Sequence, residues 1–325
     1  MDRPVLDRDV VAVRDRVRSL APQHWIPDPH LAMVSVLAHG TYHTSLLVRT
    51  REARVVARLC RDSQWGLSPT EQLEREFTVL GALEPSRVAP MPLMLIADAE
   101  REFLLESFVG GRAFDYTRDM GPLAHAIARV HACSPLRASF ALPDTSPTDF
   151  LLNDGRQWAD RARRTPRLSG VIEMLDEAEQ RLRTLGTSTS SDHVLLHTDL
   201  IHTNIRRTDS GCVLLDWEGA RAGPRAWDLA YLLSPVTLMW SDQTSALVGA
   251  GRKAFMSAYA AAAGLNADDV EVEVDALSPF VIFRALAWCT GFSATAVITA
   301  PRVLERLDQI CTPAFVRDHL LTGLG

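Results

Sequence analysis

The chain has 325 residues, with 34 basic against 40 acidic residues and a formal net charge of −6. This length suits two domains or one large two-lobed domain, and the acidic balance gives no general attraction for nucleic acid or an anionic membrane, so we expect neither as a partner. Hydrophobic residues make up 47% and charged residues 23%, which is typical of a folded globular protein and excludes a disordered chain.

Two stretches of the chain bear on targeting. Residues 1–18 alternate charged residues with valine and lack the uninterrupted apolar run of a signal peptide. The most apolar stretch, 277–300, is broken by Arg284 and therefore predicts a buried helix rather than a membrane span. The five cysteines are widely spaced and form no Cys-x-x-Cys pair, so we expect reduced thiols. Together these features indicate a cytoplasmic protein.

The first third of the chain is predicted to form mainly antiparallel strands. Apolar and β-branched runs separated by turn residues predict five of them: 31–38, 45–49, 54–60, 91–97 and 102–108. The Gly110-Gly111 pair that follows the last strand predicts a turn or hinge.

A helix is predicted between the third and fourth strands. Ser68 is a suitable N-cap, Pro69 suits the first helical position, and Glu71 at the third position completes a capping box. At 100° per residue, Glu76 lies at the edge of the apolar stripe of this helix. We therefore predict that Glu76 faces the sheet and pairs with Arg58, rather than being a solvent-exposed carboxylate.

Beyond residue 122 the pattern is mainly helical. Helices are predicted at 122–133, 149–163, 168–185, 226–234, 243–263, 276–290 and 302–311. Short strands at 194–196, 204–207 and 213–216, with a turn at 209–211, interrupt them. The sequence thus predicts an α+β fold with a five-stranded antiparallel N-terminal lobe, 1–108, and a mainly helical C-terminal lobe, 109–325.

The chemically informative segment has the pattern His-x-Asp-x-x-x-x-Asn, formed by His197, Asp199 and Asn204. Twelve residues beyond Asn204, Asp216 ends a predicted strand. Phosphoryl transfer needs a carboxylate that orients a hydroxyl and oxygen ligands that hold Mg²⁺ on nucleotide phosphates. A hairpin would bring Asn204 and Asp216 to one edge, with Asp199 facing the same ion from the loop.

With these motifs, the chain resembles the aminoglycoside phosphotransferase and choline kinase-like family of small-molecule kinases, which have the protein-kinase-like fold. The resemblance also includes segments 215–218 and 222–230, is weaker at 75–76, 105–111 and 128–132, and spans about 30–235.

The resemblance implies roles for the residues of the motif. It implies a catalytic base at Asp199, magnesium ligands at Asn204 and Asp216, a structural Asp228 that braces the catalytic loop, and an architectural His197.

The resemblance further implies an Mg²⁺-dependent kinase that uses ATP or GTP. The acceptor would be a small molecule with a free hydroxyl. An antibiotic is favoured, either of the aminoglycoside type or another natural product, which would give the protein a role in resistance. The base of the nucleotide would lie against the hinge, and its phosphates would lie against the loop before the second strand. The nucleotide-binding residues would be Gly40, Thr41, Ser45, Arg58, Glu76, Glu106 and Phe108.

Three departures from the family pattern are visible. Thr198 stands where the family often has glycine, segment 40–45 has a single glycine, and Arg58 replaces the usual lysine of the third strand. Arg58 can still contact phosphate oxygens and pair with Glu76. The departures leave open a kinase-like module that binds a nucleotide or metabolite without transferring phosphate.

A hydrolase is a further alternative. His197, Asp199 and His202 also spell His-x-Asp-x-x-His, which could ligate a catalytic metal. That hypothesis leaves Asn204 and the five-stranded lobe unexplained. The acidic run 268–275 predicts a solvated face or, alternatively, the lining of a pocket for an amine-bearing substrate.

Overall fold

The computed structural model describes residues 3–40, 42–63, 65–98, 101–133, 146–185, 193–241, 249–296 and 300–324. The chain forms two compact units: the first comprises 1–112 and 208–218, and the second comprises 113–207 and 219–325. The division of labour between a nucleotide-binding lobe, 1–108, and a catalytic lobe, 109–325, stays a prediction.

The first unit contains a five-stranded antiparallel sheet in the order β1-β2-β3-β5-β4, as predicted. Its strands are β1 (Met33–His39), β2 (His43–Arg49), β3 (Arg54–Cys60), β4 (Pro92–Asp98) and β5 (Arg101–Ser107). Helix α1 (Arg3–Arg18) precedes the sheet and α2 (Pro69–Leu83) lies between β3 and β4 in the chain.

The two faces of this sheet differ in chemistry. One face carries the apolar core, which includes Leu46 and Ala57 and packs against Val13 and Val17 of α1. Residues of opposite parity lie on the other face, because side chains alternate along a strand. In the strand register, Ser45 lies opposite Arg58. Glu106 lies opposite Val56, which is the neighbour of Arg58 on that face. The sheet therefore presents a polar face.

Helix α2 begins as the sequence predicts. Ser68 Oγ accepts a hydrogen bond from the Glu71 N–H at 3.3 Å, and the Ser68 N–H donates to Glu71 Oε2 at 2.8 Å, which confirms the capping box. Glu76 is 1% exposed, and the helix packs against β3, β4 and β5. Its carboxylate therefore faces the sheet, as predicted.

The second unit is mainly helical. Its helices are α3 (Met120–His131), α4 (Pro147–Ala162), α5 (Ser169–Thr184), α6 (Ala226–Leu233), α7 (Pro235–Leu238), α8 (Ala250–Ala263), α9 (Ala267–Thr295), α10 (Pro301–Ile310) and α11 (Pro313–His319). Helix α9 packs against α4 and α6, and α8 packs against α3. The predicted start of one helix at 243 lies outside the described residues.

Short strands accompany these helices. They are β6 (Arg112–Ala113), β7 (His193–Leu196), β8 (Ile205–Thr208), β9 (Gly211–Leu214) and β10 (Arg221–Pro224), and β10 pairs antiparallel with β7. Two expected strand ends were wrong. Asn204 ends a 3-10 turn before β8 rather than starting the strand, and Asp216 lies two residues beyond β9.

The acidic run 268–275 forms the first turns of α9. Asn266 caps this helix, accepting hydrogen bonds from the N–H groups of Asp268 and Asp269 at 2.8 and 3.3 Å. Carboxylates at a helix N-terminus are favoured by the helix dipole. Arg252 pairs with Glu271 and Asp275, both at 2.6 Å. The run is therefore mostly solvated and paired, in keeping with the first of its two interpretations. Among the described residues, no helix is both long and apolar enough to cross a bilayer.

Candidate active site

The loop between β7 and β8 is held by a buried carboxylate. Asp228 of α6 accepts hydrogen bonds from the His197 N–H at 2.8 Å and the Thr198 N–H at 2.7 Å. His131 Nε2 lies 3.2 Å from the same carboxylate. A buried carboxylate that accepts several N–H bonds holds its donors in one geometry. The structure thus confirms that Asp228 braces this loop.

Thr198 occupies a backbone conformation that favours glycine. Its φ is 68°, in the left-handed region that glycine adopts most easily. This conformation explains why the family often has glycine at this position. The Thr198 hydroxyl donates to the Gly219 carbonyl at 3.0 Å. This hydrogen bond supports a residue whose backbone is otherwise unfavourable.

Asp199 lies on this loop and has a partner on each carboxylate oxygen. Asn204 Nδ2 donates to Oδ2 at 2.8 Å, and the Tyr231 hydroxyl donates to Oδ1 at 2.9 Å. The Asp199 N–H donates to His197 Nδ1 at 3.2 Å. Two hydrogen bonds to the carboxylate and one from the backbone restrict its rotation. Asp199 is therefore a preoriented hydrogen-bond acceptor.

Tyr231 was not predicted from the sequence. It follows Asp228 by three positions on α6, so the two side chains share one face of the helix. Burial, and then the charge of Asp199, raise the pKa of Tyr231 well above its usual value. Its hydroxyl therefore stays protonated and donates to Asp199. The spacing of Asp228 and Tyr231 is the sequence signal that could have revealed it.

The first unit contains a second cluster, centred on Arg58. Arg58 Nε lies 3.1 Å from Glu76 Oε2, which confirms the predicted ion pair. Its Nη2 donates to Asp216 Oδ1 at 2.6 Å. Burial opposes the charge of Arg58, but the nearby carboxylates, Asp216 first, raise its pKa well above the usual value. One guanidinium thus joins α2 to the segment that follows β9.

His43 belongs to the same cluster and was not predicted from the sequence. Its Nε2 lies 2.8 Å from Glu76 Oε1, and its Nδ1 contacts the Glu218 carboxylate. These are ion-pair contacts, since neither ring nitrogen has hydrogen-bond alignment with a described residue. Burial has the largest single effect and lowers the pKa of His43, but the charge of Glu76, together with the side chains of Cys60 and Glu218, raises it well above its usual value. His43 is therefore a second buried cation.

The carboxylates of the cluster titrate differently. Although burial alone would raise it, the charges of His43 and Arg58 lower the pKa of Glu76 to about 2. Burial raises the pKa of Glu106 to about 7. Burial and the charge of Asp216 likewise raise the pKa of Glu218 to about 7. Burial is thus the first cause of both raised values, whereas the two cations keep Glu76 ionised.

The other expected nucleotide-binding residues also lie in the first unit. The Gly40 N–H donates to the carbonyl of His43, the first residue of β2, at 2.9 Å. Ser45 lies on β2 opposite Arg58. The Arg54 guanidinium lies 4.7 Å above the Phe108 ring. Thr41 lies outside the described residues.

The expected magnesium ligands lie in different units. Asn204 belongs to the second unit with Asp199, and Asp216 belongs to the first with Arg58. Asp216 has a φ of 66°, and its side chain is 32% exposed. Both residues offer hard oxygen donors of the kind Mg²⁺ prefers, so their chemistry fits that ion.

The hydrolase alternative gains no support from the described part of the chain. The three side chains there whose ligand atoms approach one another closely enough for a metal are His43, Asp216 and Glu218; His197, Asp199 and His202 form no such group. His197 is fully buried, and its Nδ1 accepts the Asp199 N–H. That nitrogen is therefore occupied within the loop.

The second unit also contains a cavity of about 380 Å³ between the starts of α3 and α8. Tyr116, Met120 and Phe255 are among the residues that line it, and none of its lining residues comes from the acidic run 268–275. The cavity therefore gives no support to the alternative that this run lines a pocket for an amine.

Comparison with known proteins identifies the family. Residues 34–268 match the Phosphotransferase enzyme family (APH), and the chain belongs to that family. A direct comparison with curated protein sequences gives no match.

Solved structures show the same fold. The chain is similar to choline kinase from Cryptosporidium parvum Iowa II, with a TM-score of 0.66, 15% identity and 97% of each chain covered. It is also similar to amicoumacin kinase in complex with AMP-PNP, Ca²⁺ and Ami, with a TM-score of 0.60, 14% identity and coverage of 98% of this chain and 96% of that one. For a spectinomycin phosphotransferase in complex with ADP and spectinomycin, the TM-score is 0.59, the identity 10% and the coverage 89% and 93%. The expected kinase-like α+β fold is thus confirmed.

Proposed function

We propose that this protein transfers the γ-phosphoryl group of ATP or GTP to a hydroxyl of a small molecule. The observation that carries the proposal is the Asp199 carboxylate, held by Asn204 and Tyr231 on a loop braced by Asp228, in a chain of a phosphotransferase family. A carboxylate fixed in this way suits the task of orienting an acceptor hydroxyl and accepting its proton.

The residues of the first unit support nucleotide binding. Arg58 has a planar, permanently charged group that suits phosphate oxygens, and Glu76 holds its Nε. Asn204 and Asp216 are the residues that would hold Mg²⁺. When bound, that ion would offset the negative charge of the phosphates. Within the first unit, Arg58 keeps the Asp216 carboxylate ion-paired and in one orientation.

The acceptor is proposed to be a natural-product antibiotic, with small amino alcohols as the second class. Amicoumacin kinase and spectinomycin phosphotransferase support the first class, and choline kinase supports the second, because all three have this fold. The experiment is phosphate transfer from ATP and GTP across aminoglycosides, other natural-product antibiotics and amino alcohols. Transfer to an amino alcohol alone would contradict the antibiotic assignment.

Asp199→Asn tests the catalytic assignment. The variant keeps the size of the side chain and loses its basicity, so we expect turnover to fall by about 10²- to 10⁴-fold with little change in thermal stability. Asp209→Asn, in the exposed turn between β8 and β9, is the matched control and should leave turnover unchanged. Unchanged turnover in Asp199→Asn would reject the assignment. A wild-type protein that binds nucleotide but transfers phosphate to no acceptor would favour the binding-module alternative.

A further inference from the structure

We propose that His43 is a positioning residue of the nucleotide site, which holds Glu76 and thereby orients Arg58 toward the phosphates. This inference rests on the proposed function and extends it to a residue that neither the motifs nor the family resemblance indicates.

The ring of His43 connects two segments that are far apart in the chain. His43 is the first residue of β2, opposite Cys60 of β3, and it is 4% exposed. One ring nitrogen lies 2.8 Å from Glu76 on α2, and the other contacts Glu218, which follows β9. A single buried side chain thus makes contact with both segments that carry partners of Arg58.

Glu76 divides its two oxygens between different partners. Its Oε2 lies 3.1 Å from Arg58 Nε. Its Oε1 lies 2.8 Å from His43 Nε2 and accepts a hydrogen bond from Gln72 Nε2 at 3.3 Å. Without His43, Oε1 would keep only the longer contact with Gln72 among these partners. The carboxylate could then rotate, and Arg58 would lose a fixed partner for its Nε.

Charge favours the same arrangement. Arg58 contacts two carboxylates, Glu76 through Nε at 3.1 Å and Asp216 through Nη2 at 2.6 Å. In a buried site, a carboxylate without a partner is strongly unfavourable. A neutral residue in place of His43 would leave the cluster with one cation. We expect the Glu76 carboxylate then to lose its fixed orientation, so that its contact with Arg58 becomes less well defined.

The location of His43 connects this network to the segment before β2, which the family resemblance implies lies against the phosphates. Its backbone carbonyl accepts the Gly40 N–H at 2.9 Å, so the residue whose ring contacts Glu76 is also hydrogen-bonded to Gly40. Ser45, two residues later, lies opposite Arg58. Because the ring acts on Arg58 through Glu76, its loss should affect nucleotide binding more than it affects the acceptor.

The first experiment compares His43→Gln with the wild type. Glutamine is neutral and has no ring, so it cannot contact the two carboxylates as the two ring nitrogens of His43 do. We expect the nucleotide Kd and KM to rise about tenfold or more, with the acceptor KM and kcat changing about twofold at most. His30→Gln, at an exposed position of the same unit, is the matched control and should change none of them. A His43→Gln variant with an unchanged nucleotide Kd would overturn the inference.

Two further variants separate positioning from a general effect on the fold. His43→Lys restores a positive charge, and we expect it to recover part of the nucleotide affinity lost in His43→Gln. In a Glu76→Gln background, His43→Gln should raise the nucleotide Kd by about twofold at most, because the two residues act through one path. Equal effects of His43→Gln in both backgrounds would refute positioning through Glu76. If His43→Gln does not fold, the His43→Lys variant tests the inference instead. A nucleotide affinity of His43→Lys no better than that of Glu76→Gln would contradict the inference.

The outcomes also distinguish this inference from the proposed function. A wild-type protein that binds nucleotide, paired with a His43→Gln variant of equal affinity, overturns the role of His43 and leaves phosphoryl transfer standing. A wild-type protein that binds neither ATP nor GTP overturns both. Binding without transfer rejects the proposed catalysis, while the Kd comparison still decides the role of His43.

Discussion

Glu106 provides a sharp test of the electrostatics of the first unit. Its side chain lies on the polar face of the sheet and is 8% exposed, and none of its described contacts is a hydrogen bond. Burial is the main cause that raises its pKa from 4.5 to about 7; the charge of Arg58 opposes burial, while the charges of Glu76 and Asp216 add to it. The folded state therefore favours the protonated form.

The sign of the pH effect follows from this difference. Well below pH 4.5 the carboxyl is protonated in both states and Glu106 contributes no pH dependence. As the pH rises through 4.5 and toward about 7, the unfolded chain ionises first, so the folded state loses relative stability. At about 1.4 kcal/mol per pKa unit, the full penalty above pH 7 is about 3 kcal/mol.

Glu106→Gln removes this penalty because the amide does not titrate. We expect the variant to gain about 2 to 3 kcal/mol in free energy of unfolding, relative to wild type, between pH 5 and pH 8. Urea unfolding at both pH values, without nucleotide, measures the difference. Glu84→Gln, at an exposed position after α2, should show no such change. An equal effect of Glu106→Gln at the two pH values would refute the reasoning.

Two other predictions concern the packing around Gly291 and the orientation of Asp199. A Cβ added at Gly291 would lie 2.4 Å from the Trp158 carbonyl oxygen, so we expect Gly291→Ala to lose about 2 to 3 kcal/mol of stability by thermal unfolding. Gly81→Ala, where nothing lies within 4 Å, should be neutral or stabilising by about 1 kcal/mol, and similar losses at both sites would contradict this packing. Tyr231→Phe removes the hydrogen bond to Asp199 Oδ1 and should lower kcat about tenfold with little change in thermal stability. An unaltered kcat would show that Tyr231 does not orient this carboxylate.

Local patterns predicted much of the fold. The capping box at Ser68 and Glu71 involves residues three positions apart, and the strands of the sheet follow alternation and turn residues within short windows. Helix α1 was missed because Val13 and Val17 form only a narrow apolar stripe in a highly charged stretch, and valine is a weak helix former. Its burial depends on the sheet face that it covers, which no local pattern reveals.

The sequence by itself singled out the residues that we propose carry the chemistry. The spacing of Asp199 and Asn204 and the placement of Glu76 on its helix follow from neighbours along the chain, and so these residues could be singled out without coordinates. The strand ends near Asn204 and Asp216 were placed wrongly, because pairing partners and not residue preference set where a short strand stops.

Only the tertiary structure decided the partners of these groups. Arg58 pairs with Asp216 across 158 positions, and His43 contacts Glu76 and Glu218 from the first residue of a strand. Whether a histidine is a surface residue or a buried cation depends on which segments pack around it. Charge interactions of this kind act through space at a few ångströms, so their strength is set by packing and burial rather than by separation along the chain.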